Sequence, residues 1–466
     1  MVTWSASEEI LTPQLVALRV TGLLGQFDHA FDFPSDASFI IIHGPNGIGK
    51  TKLLELITAT FRGDLAKVAA TPFKILELSF ADETELVIVN ERRNRNPSDS
   101  DDESEDSNKH ALTLKLARSD DKHTHIVANA HTIGHTPSLA RYIERELPLV
   151  RVGPRIWRDP QYDDIISTAE VIERYTDLLP DPLREWKLPK VFRDFFGSLH
   201  VHLIETQRLL SQIPINHRPQ RDYDRQVSRE TVLEFSSDLV RRLREVLAIN
   251  SRTSQEKDRS FPRRILLPNH PGLNVTDDVI RERYAGQSDL RSKLAEIAVL
   301  DTSADLPLPN RQLEDWERRV LWTYLEDTDE KLATFQDLLG RVRLLRDIVN
   351  SRFLYKELTI DREKGFKFIT NLGQEVGADR LSSGEQHELV LVYDLLFNGT
   401  NRLVLIDEPE ISLHVAWQQR FIEDIERISQ VANSRFIVAT HSPQIIHKWW
   451  DQTVRLSATD ELASDL

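Results

Sequence analysis

GPNGIGKT, Gly44 to Thr51, follows the apolar run Ser38–His43 and precedes a stretch with helical spacing at Leu53, Leu54, Ile57 and Phe61. It fits G-x-x-x-x-G-K-[ST] in the strand–loop–helix frame that this pattern requires. Gly44, Gly47 and Gly49 allow positive φ and close backbone approach. Successive N–H groups, Asn46 and Ile48 included, can then converge on phosphate oxygens. The following helix aims its positive dipole end at the same anion. Lys50 supplies a point charge to the β- and γ-phosphates, and the Thr51 hydroxyl takes a place on Mg²⁺. The stretch therefore predicts a nucleoside triphosphate site.

A second stretch answers it. LVLI, Leu403 to Ile406, is short and wholly apolar, as a central parallel strand should be, and it ends in Asp407-Glu408. Two carboxylates at the C-terminal end of such a strand lie where α/β sheets bind ligands. Adjacent side chains point apart, so Asp407 is expected to hold Mg²⁺ and Glu408 to polarise the attacking water as general base.

Around these two stretches the chain has 466 residues, 40% hydrophobic and 29% charged, which implies two or three globular units. Its net charge of −15 argues against non-specific coating of nucleic acid, although a local basic patch would still serve. The absence of cysteine excludes disulfides, thiol catalysis, Fe–S clusters and Cys-type zinc sites. No apolar run reaches a membrane span, and the opening MVTWSASEEILTPQ lacks a basic region followed by an apolar one. A cytoplasmic protein is expected. FKILELSF, ELVIVNE and ALTLKLA read as strands of an antiparallel β layer. The acidic stretch NRNPSDSDDESEDSN between the last two reads as a loop tip. Residues 137–200 read as helices broken by prolines, 201–210 as a buried strand ending in a polar turn, and 216–350 as charged and helical. Residues 352–372 read as strands, followed from Leu381 by alternating helix and strand.

LSSGEQHELV, from Leu381, opens a helix with Ser382 and Gly384 at its anion-binding end. It resembles the ABC signature LSGGQ, with Ser383 for the first glycine and Glu385 for the glutamine. The sequel LVLIDE, PEISLH and RFIVATHSP completes a resemblance to the ATPase heads of the ABC superfamily, in its SMC, RecF and OLD branch. The resemblance covers residues 15–62, 200–212 and 372–450. It implies ATP as the nucleotide, sandwiched in a homo-oligomer, with Ser382, Gly384 and Glu385 binding ATP held by a second protomer. It also implies a loop from Glu410 to His414 crossing that interface, His441 as the switch residue that reads the γ-phosphate, and Gln207 as the residue contacting Mg²⁺ and the attacking water. Glu408, Gln207, His441 and Lys50 would then form the catalytic set. No residue is an evident adenine stacker.

The expected fold is an α/β ABC-type P-loop head, with a mixed sheet and an antiparallel β layer, built from residues 1–215 and 351–466 and interrupted by a compact helical insertion at 216–350. That insertion has no sustained heptads, unlike the long-armed SMC relatives. The chain ends 25 residues after His441, where OLD-type nucleases continue into a TOPRIM domain. Size and missing arms most resemble the stand-alone ATPases of two-gene anti-phage systems: first the PARIS ATPases (the AriA family), then those of Septu (PtuA). That resemblance implies a separate TOPRIM-type nuclease effector, held and then released when a phage-encoded trigger is sensed. A RecF/SMC-like repair or chromosome-maintenance ATPase is the alternative; a transporter subunit fits less well.

Three weaker signals remain. Residues 216–264 carry a net charge of +4, and Arg218, Arg221, Arg225, Arg241, Arg242 and Arg244 could meet phosphates or an acidic partner, or form a solvated face with intrahelical ion pairs. His123, His125, His131 and His135 could bind metal or lie on an exposed hairpin. Trp449 and Trp450 could mark a contact with another chain or pack the last helix onto the sheet.

Overall fold

The computed structural model describes residues 13–92, 110–118, 121–128, 143–145, 147–153, 156–160, 164–167, 171, 175, 188–204, 220–266, 271–297, 299, 307–411 and 413–456. The acidic stretch, Gln207, His131, His135 and the side chains of Arg218, Arg221 and Arg225 lie outside them. The chain divides into two units, one of residues 1–206, 401–411 and 434–466, the other of 207–400 and 412–433.

The first unit holds a five-stranded parallel sheet in the order Val201–Ile204, Leu403–Asp407, Arg435–Thr440, Phe39–His43, Thr453–Arg455. The three middle strands are short and almost wholly buried, as strands covered on both faces must be. A six-stranded antiparallel sheet runs in the order Phe27–Asp32, Leu15–Leu23, Ile75–Phe80, Thr84–Arg92, His110–Arg118, Asp121–Ala128. The helix Lys50–Phe61 shares one core with both sheets: Leu53, Leu54 and Ile57 are buried with Leu18, Leu76 and Leu78 and with Ile40, Ile42 and Leu405. The expected class, α/β with a parallel sheet, an antiparallel layer and helical segments, is the one observed.

Within 137–200, the described residues between 150 and 167 depart from the helical expectation. Val150–Gly153, Ile156–Asp159 and Asp164–Ser167 form an antiparallel three-stranded sheet, and Lys190–Ser198 is the one helix longer than a turn among the described residues there. Pro148 has no N–H to give a helix, and alternation in IWRD buries Trp157 with Ile143, Leu149 and Ile166. Tyr175 donates to Asp159 at 2.8 Å across this small core.

The second unit is led by a 46-residue helix, Gln220–Ile265, which at 1.5 Å per residue is about 69 Å long. The insertion is thus less compact in this element than expected, because Pro262 falls in the last turn and does not break the helix. Asn250 reaches Lys331, Lys257 pairs with Glu330 and Arg264 with Asp327, so helix Asp315–Ala333 runs antiparallel beside it. Arg241 and Arg242 pair within the helix to Asp238, and Arg241 also to Glu245, which is the intrahelical reading of those two residues. The strands Lys356–Asp361, Gly365–Thr370 and Glu375–Gly377 and the helix Ser383–Phe397 belong to this unit, not with the parallel sheet as the boundary at 350 would have it. Their aromatic side chains explain this: Tyr393 packs against Phe235 and Phe366, and its hydroxyl donates to Asp238 at 2.7 Å.

His123 and His125 sit on the strand Asp121–Ala128, where burial lowers the pKa of His125, and the described residues contain no group of three or more metal-ligating side chains. Trp449 meets Phe39 edge-on and Trp450 meets His43, so both tryptophans pack onto their own sheet. No described helix is long and apolar enough to cross a membrane.

Candidate nucleotide-binding and hydrolysis site

The strand Phe39–His43 delivers the loop, Leu403–Asp407 the two acids and Arg435–Thr440 the histidine. All three strands are parallel, and the histidine strand lies between the other two, so their C-terminal ends open on one edge. The sequence held the three motifs but not this order.

The loop is shaped by its glycines. Gly49 takes φ 93° and caps the helix Lys50–Phe61. A Cβ on Gly44 would stand 2.7 Å from the carbonyl of Leu456, closer than atoms pack. Ile48 anchors the loop in the core, and its carbonyl accepts a 3.0 Å bond from Nε2 of His29, whose pKa burial lowers. Nothing in the motif pointed to His29. Lys50 is buried and donates to the carbonyls of Gly44 at 2.9 Å and Pro45 at 3.2 Å, which holds its ammonium across the mouth of the loop. Asn46 is exposed at the tip.

Thr51 Oγ1 donates to Asp407 Oδ2 at 2.7 Å across 356 residues of sequence. Burial pushes the Asp407 carboxyl above its ordinary range, against the Thr51 hydrogen bond that lowers it. Hydroxyl and carboxylate are hard oxygen donors and fit Mg²⁺, and a pair of donors rather than a protein cage suits an ion that takes its other ligands from phosphate and water. A bound dication would also stabilise the ionised Asp407 that burial opposes.

Glu408 adopts φ 45°, a left-handed conformation costly for a residue with a side chain and often retained at working sites. Its backbone N–H donates to the carbonyl of Ala439 at 2.8 Å. Nδ1 of His441 lies 3.6 Å from Glu408 Oε1 and 3.1 Å from Glu410 Oε1. Glu410 also accepts from Thr440 Oγ1 at 2.7 Å and from the His441 backbone at 3.0 Å. It therefore turns inward against its own unit, where resemblance placed it in an interface loop; exposed Ile411 and His414 flank it.

In the second unit Ser382 caps the helix Ser383–Phe397 in a capping box with Glu385. Ser382 donates to Glu385 Oε2 through its hydroxyl at 2.8 Å and its N–H at 2.9 Å. Lys356 donates to both Glu385 oxygens at 2.8 and 2.9 Å. Burial alone would raise the Glu385 carboxyl, but these partners hold it below its usual range. Gly384 has open space where a Cβ would be. Lys356 was missed in the sequence because it lies 29 residues from its partner.

Strand order, phosphate loop and acidic strand end together define a P-loop nucleotide-binding protein. The chain belongs to the family described as "AAA domain, putative AbiEii toxin, Type IV TA system", whose match spans residues 161–447 and so takes in Ser382 to His441 but begins after the phosphate loop. It is 25% identical over 202 residues to the "Retron Ec83 probable ATPase" of Escherichia coli (38% of this chain, 37% of that protein). It is also 25% identical over 191 residues to the "Retron Vc95 probable ATPase" of Vibrio cholerae serotype O1 biovar El Tor (36% and 34%). The matched stretch thus spans little over a third of these relatives. Among solved structures, the Smc head domain of Pyrococcus furiosus, crystallised with the C-terminal domain of ScpA, is similar over 96% of this chain and 94% of that one, at 13% identity and a TM-score of 0.34.

Proposed function

We propose that the chain binds ATP with Mg²⁺ at Gly44–Thr51 and hydrolyses it. The single observation that carries this is the 2.7 Å bond from Thr51 to Asp407, with Lys50, Glu408 and His441 at the same sheet edge. Backbone N–H groups and Lys50 would hold the phosphates, while Thr51 and Asp407 would hold Mg²⁺, which supplies charge neutralisation on the phosphates. Glu408 would take the proton of the attacking water, and His441 would be the switch residue at the γ-phosphate. Gln207 keeps the role that resemblance implies, on the metal and the water. Ser382, Gly384 and Glu385 would complete the site of a second copy, so that ATP is sandwiched in a homo-oligomer and the γ-phosphate distinguishes closed from open states.

The acidic signature has a consequence of its own. A carboxylate at the Glu385 position would repel the incoming phosphate unless Lys356 neutralised it. The pair is partly exposed, so it contributes about 1 kcal/mol or less to folding. Lys356→Met is expected to leave the melting temperature nearly unchanged and to slow turnover about tenfold, the cost of about 1.4 kcal/mol of uncompensated charge. Glu385→Gln, which restores the usual signature residue, should rescue it. Steady-state ATPase assays of both variants and the double variant check this; slow turnover that persists in the double variant removes the neutralising role.

For its biological setting we propose an ATPase of an anti-phage system: the toxin–antitoxin family description and the two relatives named as retron ATPases hint at defence, while the separate nuclease effector, of TOPRIM type, and the phage-encoded trigger that releases it are what the sequence resemblance implies. The test is to purify the tagged chain from cells carrying its native gene neighbourhood and assay nuclease activity before and after infection. A co-purifying nuclease lost on infection is the expected result; ATPase activity with no associated nuclease in either state defeats the setting while leaving the ATPase standing. One observation favours the RecF/SMC-like alternative. Arg252, Arg259 and Arg263, with Gln255, Glu256 and Ser260 among them, line an open concavity of about 530 Å³ on the long helix, three cations to one acid. Hydrolysis stimulated by duplex DNA would select that reading.

A further inference from the structure

We propose that Glu410 is a positioning residue for hydrolysis: it fixes His441 in one tautomer and keeps the imidazole N–H away from Glu408. The inference rests on the ATPase reading above and adds a role for a residue that reading leaves unassigned.

Glu410 lies past the acidic strand end, in the turn Pro409–Ile411, with its side chain only 7% exposed. A carboxylate so placed needs several donors. One oxygen, Oε1, has three within reach: Thr440 Oγ1 at 2.7 Å, the His441 backbone N–H at 3.0 Å and His441 Nδ1 at 3.1 Å. Thr440 is fully buried, and its hydroxyl oxygen accepts the Ser442 N–H at 2.9 Å, so its hydrogen is committed to Glu410. The end of the histidine strand is therefore tied to the acidic turn at consecutive residues.

An ionised carboxylate only accepts, so Nδ1 of His441 carries the hydrogen and, in the neutral ring, Nε2 carries the lone pair. Glu408 Oε1 stands 3.6 Å from the same Nδ1, beyond hydrogen-bonding reach. The two carboxylates compete for one N–H, and Glu410 holds it. Without Glu410 the ring hydrogen would turn to Glu408 and occupy the carboxylate expected to receive the proton of water. The contact thus keeps the base available and the ring aimed.

The test uses Glu410→Gln, His441→Ala and the double variant of the full chain. Glutamine keeps one uncharged oxygen for Thr440 and the His441 N–H, so folding should hold, with the melting temperature near that of the wild type, but Nδ1–H loses the charge-assisted bond that selects its tautomer. Turnover of Glu410→Gln should fall about 100-fold with KM for ATP unchanged, the scale expected for a misplaced catalytic group. The double variant should be no slower than His441→Ala alone. A ¹⁵N spectrum of the His441 ring, assigned by its loss in His441→Ala and recorded well above the ordinary imidazole pKa of about 6.5, should show the Nδ1–H tautomer in the wild type and its loss in Glu410→Gln. An unchanged tautomer, wild-type turnover in Glu410→Gln, or losses that multiply in the double variant would each overturn the proposal. If the wild-type chain hydrolyses no ATP, the ATPase reading fails, and the spectrum still decides whether Glu410 sets the ring.

Discussion

Glu408→Gln should bind ATP as the wild type does, hydrolyse it about 10²- to 10⁴-fold more slowly and accumulate as an ATP-bound dimer. The range is that expected when a general base is removed from a proton-transfer step. Glutamine has the shape of glutamate and lies at the end of a buried strand, so packing is unaffected and the loss falls on chemistry. The left-handed backbone at Glu408 and its N–H bond to Ala439 do not depend on the side chain and hold the substituted residue in place. Phosphate release measures turnover, and light scattering with and without ATP and Mg²⁺ measures assembly. Turnover equal to the wild type would remove Glu408 as the base. Slow turnover by a strictly monomeric variant would keep the base and remove the sandwich, so the two halves of the mechanism can fail separately.

Lys50→Ala is expected to act on binding. The ammonium lies across the loop mouth on the carbonyls of Gly44 and Pro45, and phosphate oxygens would be stronger acceptors for it. Losing a charge-assisted hydrogen bond costs about 1.5–3 kcal/mol, or roughly 10- to 150-fold in Kd at about 1.4 kcal/mol per decade. Calorimetric titration with ATP and Mg²⁺ measures it. Removing the side chain also takes two hydrogen bonds from the loop, so a melting curve must accompany the titration. An unchanged Kd in a stably folded variant would place the nucleotide somewhere other than Gly44–Thr51.

How legible each part was follows from the range of the interactions that make it. The expected phosphate loop is a pattern of eight consecutive residues: glycines set the backbone, and lysine and threonine follow at fixed offsets. The strand before it, the helix after it and the apolar strand ending in Asp407-Glu408 were equally local. Within 137–200, the described strands between 150 and 167 were misread because helix and strand periods are hard to separate in segments of four residues, and the choice fell to Trp157, whose burial needs partners from several segments. The domain boundary at 350 followed a change in composition, whereas Tyr393, Phe366 and Phe235 group the residues by aromatic packing that no local pattern records.

By itself, then, the sequence determined the strand–loop–helix frame of Gly44–Thr51 and the apolar strand ending in Asp407-Glu408, and with them the expectation of which side chains hold phosphate and metal and which acid takes a proton, since those are matters of residue type at short spacing. Tertiary structure alone decided that the histidine strand lies between the loop strand and the acidic strand, that Thr51 meets Asp407, and that Glu410 rather than Glu408 engages the His441 ring. Strand order is set by which buried faces pack together, and a hydrogen bond across hundreds of residues leaves no spacing rule in the chain that forms it.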